Sequence, residues 1–264
     1  MRQYLNWFWC ASVLVFALGS CAVEDDPPIN IPFVEQEFVL NLWEDLTDDP
    51  NNVLEIKLLT VANEPCLNTT ILTEFSRSNQ DLKVTLFDIL DPENCVVGEA
   101  PAQGSQALGG VTETGVYQLE IELKDLVTNT GQLTVQPDYY EVEMSESSGI
   151  SWTHQRLYRI PKNALWGFIT YTNGEQQSLA ANWLNELADF TSFLEVEPGY
   201  YGYFNRTDAT ELTITGAPEL VDQVTFLVEF DGQMATLESA VADLQAQATE
   251  GLEFRIFDDK GNVW

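Results

Sequence analysis

The chain has 264 residues, 45 % of them hydrophobic, which is enough apolar material for one large or two modest cored domains. It carries 42 acidic residues against 11 basic ones, a formal net charge of −31. A surface so negative repels phosphate backbones, so nucleic-acid binding is excluded, and the scattered acids are read as a solubility feature.

Residues 1–20 begin with one basic residue, Arg2, and continue through an apolar run to Val15-Phe16-Ala17-Leu18-Gly19-Ser20. The run is shorter than the ~20 residues of a membrane span, and small residues close it, as in a secretory signal. Cys21 follows directly. Leu18-Gly19-Ser20-Cys21 resembles the lipobox of bacterial lipoproteins. The resemblance implies cleavage before Cys21, acylation of that cysteine and attachment of the mature chain to the membrane through its lipid. Ala22 is not the aspartate of the inner-membrane retention signal, which implies the outer membrane. Glu24-Asp25-Asp26 is similar to a surface-export signal, which puts a surface-exposed orientation ahead of a periplasm-facing one. Residues 21–33, acidic and rich in proline, suit an extended tether.

Cys10 lies within the leader, and Cys66 and Cys95 remain as an even pair in an exported chain. A disulfide between them is expected; two thiolates without a nearby histidine make a poor zinc set.

Residues 34–150 read as a β domain. Leu54, Ile56 and Leu58 alternate with polar neighbours, as do Leu82, Val84 and Leu86, and Tyr117, Leu119, Ile121 and Leu123. Period two with turn residues between the runs predicts half-buried strands and an immunoglobulin-like antiparallel β-sandwich. Residues 96–110, rich in Gly, Ala and Gln, are expected to be a long loop.

Residues 151–264 change period. Strands are expected near 165–171, 193–196, 225–230 and 252–257. Helices are expected where Ala180, Trp183, Leu184 and Leu187, and later Leu237, Val241 and Leu244, share one face. Two tandem βαβ-like units predict a ferredoxin-like α/β sandwich. Further strands are expected near 200–204 and 210–215.

Chemistry-bearing patterns are sparse. His154 is the only histidine, so Ser–His or Cys–His catalysis would have to pass through it; Ser151 is near in sequence, but no Gly-x-Ser-x-Gly elbow occurs. No phosphate loop or calcium loop is present, and no cofactor or metal site is expected. Strand alternation would place Tyr201 and Tyr203 on one face, able to stack a sugar ring or a peptide. The reading is a lipid-anchored, non-enzymatic binding or scaffold protein of the outer membrane or cell surface, with a protein or glycan ligand. A carboxylate-dependent glycan hydrolase and a periplasm-facing structural subunit of an envelope complex stand as alternatives.

Overall fold

The computed structural model describes residues 36–46, 52–111, 113–124, 126–208, 211–218, 221–248 and 250–264. Cys21 and all of the expected leader and tether, residues 1–33, lie outside them. Strands account for 52 % of the described residues and the fold is a β-rich α+β fold.

The first part contains β1 (Phe38–Asp45), β2 (Val53–Cys66), β3 (Thr70–Ser78), β4 (Asp81–Leu90), β5 (Val97–Ala107), β6 (Gly115–Leu123), β7 (Val127–Val135), β8 (Tyr139–Met144), β9 (Ile150–Trp152) and β10 (Arg156–Tyr158). They form one sheet in the order β10-β8-β7-β6-β4-β3-β5-β2-β1-β9. Its pairing departs from the expected antiparallel plan: β4 runs parallel to β6 over Asp81–Leu86, and β1 runs parallel to β9. A parallel neighbour needs a crossover. Here the crossover is β5, the segment expected to be a loop. Its alternation is obscured because small residues are needed where it passes closely between β2 and β3. Ala102 is fully buried, and a Cβ on Gly104 would sit 3.0 Å from the Cβ of Ile71.

The strands at the two ends of this sheet, β9 and β10, are joined by only three residues. That link bonds to the strand next to each end: Thr153 N–H donates to the Leu40 carbonyl on β1, and the Val142 N–H of β8 donates to the Gln155 carbonyl. The sheet therefore curls on itself as a β-sandwich around a single core. Leu40, Ile56, Val84, Ile121, Leu133 and Leu157 all point into it, each essentially inaccessible. Burial of each such side chain stabilises by about 1.5–3 kcal/mol. Strand pairing carries the first sheet past position 150, to Tyr158.

The second part contains β11 (Ala164–Thr170), α1 (Gly174–Ala188), β12 (Ser192–Phe193), β13 (Gly199–Tyr200), β14 (Phe204–Arg206), β15 (Leu212–Ile214), β16 (Gln223–Glu229), α2 (Met234–Gln247) and β17 (Glu253–Asp258). A four-stranded sheet has the order β12-β16-β11-β17, and every neighbouring pair is antiparallel. The strand expected over 193–196 is only the two-residue β12. Each helix joins two strands separated by one neighbour. The Asn173 side chain caps α1 by accepting from the Glu175 and Gln176 N–H groups. Leu165 and Ile169 of β11 face the helices, packing with Trp183, Leu187, Leu237 and Val241. Trp166 and Phe168 face the other way, so β11 is buried on both sides and reads as a continuous apolar run. On that second side lies a small sheet, β13-β14-β15, inserted between β12 and β16.

Candidate functional site

The aromatic run at 200–204 does not form one alternating strand. β13 ends at Tyr200, a turn follows, and β14 begins at Phe204; Gly202 holds φ +80° in the turn, a conformation that favours glycine. Tyr201 is consequently buried, 4 % exposed, with its ring between Tyr158 (centroids 5.3 Å apart) and Phe204 (4.6 Å). Its hydroxyl donates to the Glu197 carbonyl at 2.9 Å. Burial, with the neighbouring Tyr158 and Glu197, pushes the phenol well above its usual range. Both ring faces are taken by protein. Tyr203 packs on Trp43 at 4.4 Å and on Trp166 at 5.7 Å, and its hydroxyl accepts the Leu46 N–H. The structure thus spends both tyrosines on packing between the small sheet, the outer face of β1 and the four-stranded sheet.

His154 lies flat on Tyr200, with centroids 3.9 Å apart and planes 6° from parallel, and the Tyr200 hydroxyl accepts from Asn41 Nδ2 at 2.6 Å. Ser151 Oγ accepts from Gln36 Nε2. The neighbouring Ser151 is thus engaged elsewhere. Burial lowers the pKa of His154.

A buried ionic knot escaped the sequence reading. Glu44 is 2 % exposed; its Oε1 accepts from Tyr140 Oη at 2.8 Å and from Arg159 Nε and Nη2 at 3.1 and 3.0 Å. The signal was in β1: after Leu40 and Leu42, Glu44 occupies the next inward position, where a carboxylate needs a partner. It ties β1 to the segment leading into β11.

Cys66 and Cys95 form a disulfide with Cα atoms 5.3 Å apart. Their sequence separation of 29 corresponds to a stabilisation of about 3–4 kcal/mol on the chain-entropy account. It staples the end of the sheet where β2, β3, β4 and β5 project beyond the core. Leu59, Gln103, Thr70 and Leu90 are register partners across β2, β5, β3 and β4, so they share the outward face. Leu72, two residues along β3, lies on the same face. Towards the opposite end that face is polar, with Lys83 bound to Glu120 and Glu122 at 2.7 and 2.9 Å and Lys57 bound to Glu55. Burial pushes Glu55 up, but hydrogen bonds from Lys57 and Ser105 outweigh it and leave the carboxyl below its usual range. At the stapled end the face turns aliphatic: Leu59, Leu72 and Leu90 are exposed, and Leu67, Val96 and Val97 beside the disulfide are exposed too, Val97 by 88 %.

Two of the concave sites have basic residues in their lining. A groove of about 430 Å³ crosses β3, β4, β6 and β7, lined by Arg77, Asp81, Lys83 and Glu120 among others. Arg77 is engaged there with the Asn79 and Gly110 carbonyls, and Lys83 with its carboxylates. A smaller one, about 230 Å³, lies beside Asp231, Asp258 and Asp259. Asp258 accepts from the Lys260 and Asn262 N–H groups, which makes it a turn former. Among the described residues no group of three or more His, Cys, Asp or Glu is placed to hold a metal, and no helix is long and apolar enough to cross a membrane.

Comparison of the chain with protein-family models, curated proteins and solved structures finds no match.

Proposed function

We propose that the chain is an exported lipoprotein, held to the outer membrane through acylated Cys21, that works by binding a macromolecule rather than by catalysis. The observation that carries the binding part is the stapled, aliphatic end of the first sheet. A chain with a net charge of −31 that still exposes a band of Leu and Val on a rigid scaffold has a surface suited to a partner. The Cys66–Cys95 disulfide supports export, because such bonds persist in oxidising compartments. We read the second part as ferredoxin-like; the strand order and the two strand–helix–strand crossings support this. The sixteen residues from Cys21 to Gln36 could reach about 50 Å if extended, enough to hold the body clear of the lipid.

The test is Cys21→Ala followed by fractionation. The variant is expected in the soluble fraction while the wild-type chain pellets with membranes. A variant that still pellets would overturn the anchor.

A further inference from the structure

The aliphatic band has a rim whose charge is as one-sided as the chain's. The projecting end, residues 61–72 and 88–101, contains five carboxylates, Glu64, Asp88, Asp91, Glu93 and Glu99, and no Lys or Arg. Only Asp88 has a cation, Lys124, at 2.9 Å; among the described residues the other four are in no ion pair. Leu59, Leu72 and Leu90 are exposed on one face, and Leu67, Val96 and Val97 are exposed around the disulfide at the same end. The backbone beneath is fixed by four strands and the disulfide, so this surface is presented preformed, at little ordering cost.

From this complementarity we propose that the stapled face docks a protein whose contact surface is apolar at its centre and carries Lys or Arg around it. Desolvated aliphatics at the centre supply the area, and the unpaired carboxylates steer and orient the partner. A second copy of the chain fits poorly, because a two-fold contact would set one acidic rim against the other. A lipid surface fits poorly as well. The projecting end has no Trp, Tyr, Phe, Lys or Arg to anchor at a headgroup layer, and its carboxylates are repelled by anionic lipid. The proposal deepens the binding reading above and does not depend on how Cys21 is modified.

The experiment places a photo-crosslinking residue at position 97 of the full chain in its own cells. A control places it at position 116, which is also exposed but lies at the opposite end of the sheet. The expected result is an adduct with one discrete protein at 97 and none at 116. Its crosslinked peptide is expected to carry Lys or Arg beside apolar residues. The yield is expected to fall several-fold when cells are opened in ~0.5 M salt, and at least tenfold when Val96→Asp is added. Val96 is 54 % exposed and Val97 more so, so these changes leave the core intact, and formation of the Cys66–Cys95 bond verifies the fold. Adducts with lipid, with a second copy of the chain, with a peptide lacking basic residues, equally at both positions, or none at all would each overturn the proposal. Fractionation of the same cells keeps the two readings apart: a discrete basic adduct on soluble chain would sink the anchor and leave the docking face standing.

Discussion

His154 shows what a single side chain can report. It is the only histidine and lies against Tyr200, and burial holds its pKa below the ordinary 6.5. Between 6.5 and the lower folded value the unfolded chain binds more protons than the folded one, so stability is present above 6.5 and is lost as pH falls through that window. An NMR titration of the one imidazole is expected to show a midpoint below 6.5, and His154→Gln is expected to flatten the fall in denaturation midpoint as the pH drops below 6.5. A midpoint at or above 6.5 would contradict the packing. The neighbouring tyrosines mark the limit of reading residues by period. Tyr201 and Tyr203 obey alternation on paper, but Gly202 turns the chain between them, and long-range rings from Trp43, Tyr158 and Trp166 decide where they go. No local pattern contains those partners.

At the scale of elements, the runs with one dominant face were legible. The alternation around Ile121 gave β6, the spacing of Ala180, Trp183 and Leu187 gave α1, and the cysteine pair gave the staple. β5 was not legible, because its Gly, Ala and Pro residues are set by close passage between β2 and β3, a demand that exists only once the sheet is assembled. Gly167 is the same effect in β11. A Cβ there would run into the Arg255 carbonyl and lie 3.0 Å from Phe226 and 3.1 Å from the Ile256 backbone. Gly167→Ala is therefore expected to destabilise by about 1–3 kcal/mol in denaturant unfolding. Gly174→Ala at the start of α1, where a Cβ meets nothing, is expected to stabilise by about 0.4–1 kcal/mol. Equal effects from the two would mean that β11 and β17 do not pack as described.

For the whole molecule, the sequence pointed to a β part followed by an α/β part, and the structure is a β-rich α+β fold of that general order. What it did not disclose was long-range pairing. Nothing local marks β4 and β6 as parallel neighbours, or shows that the link at 153–155 closes the first sheet by bonding to both β1 and β8. The candidate docking face was hidden for the same reason: Leu59, Leu72 and Leu90 come from three strands and meet only through register. The central claim nevertheless concerns Cys21. The measurement that tests it most directly is the mass of the N-terminal peptide of the chain extracted from membranes. The account predicts a first residue of Cys21 carrying diacylglycerol on its sulfur and an acyl group on its nitrogen. A chain that begins elsewhere, or an unmodified Cys21, would contradict it.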